Sequence, residues 1–304
     1  RDTDCHRWCL HGYHRMKVEP TTQRGARELV MTHADFETIK SILYKATGIS
    51  LSDKKEQLVY SRLSKRLRKL GLERFDEYCQ LLKADHRQDE LGLVIQALTT
   101  NVTRFFREPH HFETLRKDIL PALTQKARRG DKVRLWSAGC SAGQEPYTIA
   151  MEVLEWLPDA PQLDVKILAT DIDNIMIETG RRGVYRDNLV QHIKPDLLRK
   201  YFIRLPDSDE WQVSAALRKL VSFQQLNLFD PWPMRRKYEA IFCRNVVIYF
   251  DIDDQVTLWN KFAAQMVPQG WLIIGHSERI SGSPAKFFEP HGITAFRLSE
   301  KYRS

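Results

Sequence analysis

The chain has 304 residues, of which 42% are hydrophobic and 28% charged, and its net charge is +8. This balance predicts a packed core rather than disorder, and the length suits one large domain with a smaller one. No apolar run approaches the roughly 18 residues that a membrane span needs, and the N-terminus lacks the apolar core of a signal peptide. We therefore expect a cytoplasmic protein that is not inserted in a membrane. The positive charge favours an acidic partner, without distinguishing nucleic acid, an anionic membrane or an acidic protein surface.

The five cysteines include no C-x-x-C pair, which argues against a disulfide framework. Cys5 and Cys9 lie close to three histidines near the N-terminus, and such a cluster can indicate a metal site. No second pair of ligands follows downstream to close a tetrahedral site. We therefore predict no metal and interpret residues 1–30 as a flexible extension.

Residues 31–100 have the pattern of a small all-helical domain. Thr32 is a candidate N-cap and Gly48 a candidate end of the first helix, between which apolar residues recur at helical spacing. A second amphipathic helix is expected between Ser52 and Gly71, and two more before residue 100. The second helix carries a basic face at i, i+3, i+4 and i+7, formed by Arg62, Lys65, Arg66 and Lys69.

From residue 132 onward, short apolar runs alternate with helical patterns, which predicts a parallel, doubly wound α/β sheet. Five strands are expected at KVRLWSAG, VKILATDID, LVSFQQLNL, YEAIFCRN and GWLIIGHSE, with a hairpin after them. The alternation breaks at about 188–220, where YFIRL and WQVS flank the turn-rich PDSDE. We interpret this stretch as an antiparallel β-subdomain inserted in a single domain of residues 101–304.

Four predicted strands end in glycine or polar residues, at the edge where open α/β sheets bind ligands. After the first strand, Gly139 and Gly143 allow a ligand to approach the backbone, although a tight turn without a ligand has the same pattern. Asp171 ends the second strand, where a carboxylate suits the ribose hydroxyls of an adenosine cofactor, unless it caps the next helix. Polar side chains also follow the third and fourth strands, at Asn227, Arg244, Asn245 and Tyr249.

In this order, the motifs TNVTRFFRE, SAGCSAGQEPY, ATDID, FCRNVVIYFD and GHSE resemble those of the CheR-type chemoreceptor glutamate methyltransferases. The resemblance covers roughly residues 31–298. It implies a Rossmann-like class I methyltransferase sheet, a small inserted antiparallel β-subdomain and an N-terminal all-helical domain. It also implies methyl transfer from S-adenosylmethionine to receptor glutamates, which yields S-adenosylhomocysteine and the methyl esters of chemotactic adaptation.

The resemblance further implies which residues form the site. The cofactor would contact Asn101, Thr103, Arg107, Glu145, Asp171, Asn227, Leu228, Arg244 and Asn245. Arg107 and Tyr249 would face the incoming glutamate, and Glu145 suits a cationic part of the cofactor such as its ammonium group. Because a glutamate carboxylate with a pKa of about 4.3 is already ionised at neutral pH, no general base is required, and the residues mainly align the reacting atoms.

The family's substrate is a long helical receptor hairpin rich in glutamate and glutamine. The basic face of the second helix is therefore predicted to dock the receptor, although a solvated face has the same pattern. In some members a glycine-containing turn of the β-subdomain binds a short peptide at the receptor's C-terminus. The corresponding RLPDSDEWQV has no glycine, so we predict a monomer that binds the receptor without this tether.

Three other functions are compatible with parts of the sequence. A nucleic-acid methyltransferase would suit the positive charge, but the D/N-P-P-Y/F motif that amino-directed enzymes use to grip a flipped base is replaced by NLFDPWP and CRNVVIYF. A module that only binds the cofactor would be expected to lose Arg107 and Tyr249. A nicotinamide dehydrogenase would need a different glycine spacing.

Overall fold

The computed structural model describes residues 29–84, 88–99 and 101–302. The predicted extension 1–30 therefore lies almost wholly outside the described residues, as does the cluster around Cys5 and Cys9. Its last two residues belong to the fold, since Leu29 is buried and Val30 forms a β-bridge with Arg74. Within the described residues, no helix is long and apolar enough to cross a membrane.

Four helices form the N-terminal part: α1 (His33–Thr47), α2 (Glu56–Leu70), α3 (Phe75–Lys83) and α4 (Gln88–Leu98). The predicted ends of α1 are confirmed. Thr32 and Asp35 form a reciprocal capping box, and Gly48 ends the helix with a φ of 72°. A buried apolar core unites the four helices, with contributions such as Phe36 and Tyr78, and this is why the layer is stable despite its short elements.

The central sheet has seven strands: β1 (Val133–Ala138), β2 (Val165–Asp171), β6 (Val221–Gln225), β7 (Tyr238–Cys243), β8 (Met266–Ile274), β9 (Phe288–Pro290) and β10 (Ala295–Leu298). Their order is β6-β2-β1-β7-β8-β10-β9. The five predicted strands pair in parallel, and β10 runs antiparallel to both β8 and β9. The predicted doubly wound sheet is confirmed, and the parallel strands bring their carboxyl ends to one edge.

Helices cover both faces of the sheet: α5 (Pro109–Thr114), α6 (Leu120–Arg128), α7 (Gln144–Trp156), α8 (Asn174–Arg182), α11 (Ala215–Leu220) and α12 (Ile252–Gln265). Alternate residues of β1 point to opposite faces. Leu135 joins the core formed with α5 to α8 and α11, whereas Trp136 joins the core formed with α12. Burial on both faces explains why the parallel strands read as continuous apolar runs.

A separate antiparallel sheet has three strands, β3 (Val184–Arg186), β4 (Phe202–Arg204) and β5 (Glu210–Val213), in the order β3-β5-β4. Two short helices, α9 (Asp187–Val190) and α10 (Pro195–Tyr201), connect β3 to β4. The inserted β-subdomain is confirmed, but the range of about 188–220 misses β3. That strand has only three residues and begins directly after Gly183 ends α8, so it has no hydrophobic pattern of its own.

Candidate active site

The carboxyl ends of the parallel strands border a cavity with about 900 Å³ of empty space, part of it open to solvent. The cavity is also lined by Thr47, the last residue of α1, and by Ile49, which follows the helix. It brings together every residue that the sequence assigns to the cofactor or the reacting glutamate: Asn101, Thr103, Arg107, Glu145, Asp171, Asn227, Leu228, Arg244, Asn245 and Tyr249. The cavity thus lies at the edge where open α/β sheets bind their ligands.

The glycines of the loop after β1 serve contacts within the protein. Gly139 has a φ of 79°, and a Cβ atom there would lie 2.3 Å from Cγ2 of Val246. Gly143 has a φ of 94°, and a Cβ atom there would lie 2.9 Å from the hydroxyl of Tyr185. Only glycine accepts both the left-handed backbone and these approaches. The two glycines therefore let the loop pack closely on its neighbours, and Gly139 also lines the cavity.

Asp171 is buried at the end of β2, and it does not cap α8. That function belongs to Asp173, which accepts hydrogen bonds from the backbone of Ile175 and Met176. The Asp171 carboxylate accepts from the backbone N–H of Ser141 at 2.7 Å and of Asp173 at 2.9 Å. Burial raises the pKa of Asp171 to about 6, against the effect of these two donors. Each carboxylate oxygen keeps an accepting lone pair for a ligand hydroxyl.

Arg244 and Glu145 form a buried ion pair in the wall of the cavity. Nη1 of Arg244 lies 2.8 Å from Oε2 of Glu145, and Oε1 of Glu145 accepts from the Ser137 hydroxyl at 2.7 Å. Because Arg244 already compensates the charge of Glu145, the carboxylate is less suited to a cationic part of a ligand than the sequence indicated. The pair instead fixes the end of β7 to the start of α7.

Arg107 lies in a turn whose neighbours on both sides adopt left-handed backbone, with φ of 53° at Phe106 and 58° at Glu108. Such conformations are costly for residues other than glycine and persist where the surroundings impose them. Here Glu108 accepts a 2.8 Å hydrogen bond from His276 and lies 3.3 Å from Nη2 of Arg244, which also donates to the Arg107 carbonyl. These contacts hold the turn that places Arg107 in the cavity.

Glu108, His110 and His111 bring three potential metal ligands within 4.8 Å of one another. A cation bound there would lie beside the guanidinium of Arg244, which already contacts Oε2 of Glu108. Although burial opposes it, His276 and Arg244 lower the pKa of Glu108 to about 2. Burial and the Arg244 charge lower the pKa of His111 to about 3. We therefore interpret this group as an ion-pair cluster around Glu108.

Glu278 supports the site without lining the cavity. The sequence does not indicate this role, although the residue belongs to the GHSE motif. Its buried carboxylate accepts four backbone N–H groups, from Asn245 at 3.0 Å, Val246 at 2.7 Å, Val247 at 2.9 Å and Gly275 at 2.5 Å. It thereby fixes the loop after β7, in which Asn245 has a φ of 59°. The side-chain Oδ1 of Asn245 is buried and has no hydrogen-bond partner among the described residues, so it is available to a ligand.

Backbone groups of the helical layer hydrogen-bond to two residues that line the cavity. The Ser50 N–H donates to the Tyr249 carbonyl at 2.9 Å, and the Asn227 amide donates to the Ala46 carbonyl at 3.0 Å. Asn227 thus joins the sheet edge to α1, in addition to lining the cavity. The sequence did not indicate Thr47 or Ile49 as lining residues, because only the packing of the helices on the sheet brings them there.

The four basic residues of α2 do not form one exposed face. Arg62 donates to two carbonyl groups at the end of α4, both at 3.0 Å. Arg66 forms a bidentate ion pair with the buried Glu90. Lys65 and Lys69 are exposed. Arg62 and Arg66 therefore serve the packing of α2 on α4. Lys65 and Lys69 show no such contact within the described residues, and their exposed side chains can meet a partner.

These features fit a nucleoside cofactor: a carboxylate ends β2, Asn245 presents an acceptor without a partner among the described residues, and both line one cavity at the carboxyl edge of the sheet. Comparison with protein families gives the same result. Residues 101–295 match "CheR methyltransferase, SAM binding domain", and residues 34–99 match "CheR methyltransferase, all-alpha domain". The fold and site thus define an S-adenosylmethionine-dependent methyltransferase.

The chain belongs to the CheR methyltransferase family, as its curated relatives also show. It is 44% identical over 262 residues to a probable chemotaxis protein methyltransferase of Rhizobium etli, covering 86% of this chain and 98% of that protein. It is 39% identical over 276 residues to the chemotaxis protein methyltransferase of Escherichia coli, covering 90% of this chain and 93% of that protein. A chemotaxis protein methyltransferase of Borreliella burgdorferi is 41% identical over 257 residues, covering 83% and 90%.

Proposed function

We propose that this enzyme methylates glutamate side chains of a bacterial chemoreceptor in the cytoplasm, and that the resulting esters serve chemotactic adaptation. The observation that carries the proposal is that Arg107 and Tyr249 line the same cavity as the residues assigned to the cofactor. A carboxylate that enters beside them arrives next to the methyl donor. The names of the chemotaxis relatives support the same biological setting.

The proposed chemistry requires little more than alignment. The bound cofactor would supply a methyl group on a cationic sulfonium, and its sulfur would leave as a neutral thioether. The substrate glutamate is ionised at neutral pH, so no residue has to remove a proton from it. Arg107 orients one carboxylate oxygen with its guanidinium, and Tyr249 assists as a neutral donor. Correct orientation can contribute roughly 7–11 kcal/mol in favourable systems.

Too strong an ion pair with Arg107 would reduce the nucleophilicity of the glutamate. Arg107 is half-buried and also donates to the Val102 carbonyl at 2.9 Å, so its guanidinium is shared between the protein and the substrate. This division supports a role in orientation rather than tight binding. Asp171 and Asn245 would hold the cofactor, with Asp171 accepting from its ribose hydroxyls.

We further propose that the enzyme acts as a monomer on receptor helices and not on nucleic acid. Lys65 and Lys69 offer an exposed positive surface for a glutamate-rich partner. The β4–β5 turn at residues 205–209 contains no glycine, although Asp207 has a left-handed φ of 52°. A turn of this composition supports direct receptor binding without a peptide tether.

The decisive experiment measures transfer of radiolabelled methyl groups from S-adenosylmethionine to membranes that contain chemoreceptors, followed by mild alkali. Label that enters the receptor and is released as methanol is the expected result, because carboxyl methyl esters hydrolyse under these conditions. Label that alkali does not release would indicate an N- or S-methylated product and contradict the proposal. Absence of transfer would favour a module that only binds the cofactor.

A further inference from the structure

A second cavity adjoins the first, with about 1060 Å³ of empty space including its opening to solvent. The two cavities share Ile49, Thr99, Tyr249 and Phe250. The second one lies between the start of α2, the end of α4 and the loop after β7. Half of its remaining lining is apolar, namely Leu51, Leu58, Leu98 and Ile248, and the other half is polar or charged, namely Ser50, Ser52, Lys55 and Asp251.

Tyr249 forms part of the wall between the two cavities. Its carbonyl accepts from the Ser50 N–H at 2.9 Å, so the wall is fixed to the helical layer. Large apolar side chains are exposed on either side of it: Val102, on the lining of the first cavity, is 76% exposed, and Ile248, on the lining of the second, is 47% exposed. Exposed apolar side chains in the linings of two cavities that share a wall fit a site where a partner binds.

The charged residues in the lining of the second cavity are Lys55 and Asp251, which oppose each other in sign. The cavity therefore has no strong preference for a charged ligand, and its leucine and isoleucine side chains offer a packing surface for an apolar group. This distinguishes it from the first cavity, where Arg107 and Tyr249 are placed to receive a carboxylate.

We infer that the second cavity receives an apolar side chain of the substrate helix, one helical turn away from the glutamate that is methylated. The inference rests on the proposed function and adds a specificity pocket to it. Because Tyr249 lines both cavities, a helix that presents a glutamate beside Arg107 and Tyr249 is expected to pass over the second cavity as well. On a helix, residues three or four positions apart have Cβ atoms about 5–6 Å apart, a spacing that places one on each side of a single tyrosine side chain.

The test compares Ile248→Asp with Ile203→Asp in methylation of a purified receptor signalling fragment. Ile203 on β4 is a matched control, since it is 60% exposed and lies in the separate sheet. Ile248→Asp is expected to raise the KM for the receptor fragment about tenfold through loss of apolar burial, with kcat and the cofactor affinity unchanged. Ile248→Leu, which keeps an apolar side chain, and Ile203→Asp are both expected to leave the KM at the wild-type value.

A receptor variant identifies the side chain that enters the cavity. Replacing the apolar receptor residue three or four positions from the modified glutamate with Asp is expected to raise the KM of the wild-type enzyme. The Ile248→Asp enzyme is expected to show no further increase in KM with this receptor variant. Unchanged KM for Ile248→Asp, a loss confined to kcat, or fully additive effects of the two changes would overturn the inference. If the wild-type enzyme modifies no receptor glutamate, the proposed function itself fails, which is a separate outcome.

Discussion

Removal of the Glu278 carboxylate is expected to destabilise the protein more than the loss of any exposed carboxylate. Glu278→Ala leaves four backbone N–H groups without their acceptor, in a place where Glu278 is only 3% exposed. Each orphaned buried donor costs about 1–3 kcal/mol. Water that enters the space left by the side chain satisfies some of them, and removal of a buried charge recovers part of the loss. We expect a net loss of about 3–5 kcal/mol in the free energy of unfolding.

Urea denaturation followed by circular dichroism measures this loss, with Glu289→Ala as the matched control. Glu289 lies on β9 and is exposed, so its replacement should change stability by less than about 0.5 kcal/mol. Glu278→Gln tests the acceptors directly, because its amide keeps one oxygen and turns an NH₂ group towards the donors. Glu278→Gln should recover only a minor part of the stability that Glu278→Ala loses.

The same variants should lose cofactor affinity, since the loop that Glu278 fixes contains Asn245. Calorimetric titration with S-adenosylhomocysteine measures this second effect. A loss of stability below about 1 kcal/mol for Glu278→Ala, or wild-type cofactor affinity in the folded variant, would refute the assignment of Glu278 as the residue that holds the loop.

Three further predictions concern the site and its surface. Because the pKa of Asp171 is about 6, cofactor affinity should fall as the pH decreases below that value, and in the free protein the stability gained from protonated Asp171 is lost as the pH rises through about 6. Calorimetric titration across this pH range measures the cofactor affinity. Asp171→Asn should bind the cofactor weakly, with an affinity that does not change with pH. Arg107→Ala should lower turnover by at least about a hundredfold, and near-normal rates of methyl transfer would exclude Arg107 from the reaction. Lys65→Glu combined with Lys69→Glu should weaken receptor methylation and spare cofactor affinity, and a full methylation rate would mean that both lysines are simply solvated.

The parts of the fold that follow from local chemistry could be predicted from the sequence. The capping residues of α1 and the five parallel strands depend on short-range patterns, and the structure confirms them. Ligand binding at the carboxyl edge of the sheet stays a prediction. Most of the site residues named from the motifs line one cavity because they follow the ends of parallel strands, whereas Asn101, Thr103 and Arg107 reach it from the segment between α4 and α5. Asp171 in particular is separated from the capping role of Asp173 by only two positions, and the geometry distinguishes them.

Features that depend on packing could not be predicted in this way. Arg62 and Arg66 have the spacing of a surface face, but the position of α4 supplies them with acceptors inside the helical layer. Glu108 and Glu278 look like ordinary acidic residues in the sequence. Their importance comes from Arg244 and from backbone groups of the loop after β7, which meet them only when the chain has folded.

The walls of the cofactor cavity come from both the helical layer and the sheet, through Ile49 on one side and Asp171 on the other. A ligand that contacts both walls therefore couples the melting of one part to that of the other. At a concentration 100 times its Kd, a ligand stabilises the state that binds it by about 2.7 kcal/mol. The stability of the α1–α4 layer therefore depends on the concentration of the ligand. This dependence extends to residues of the layer that the ligand does not contact.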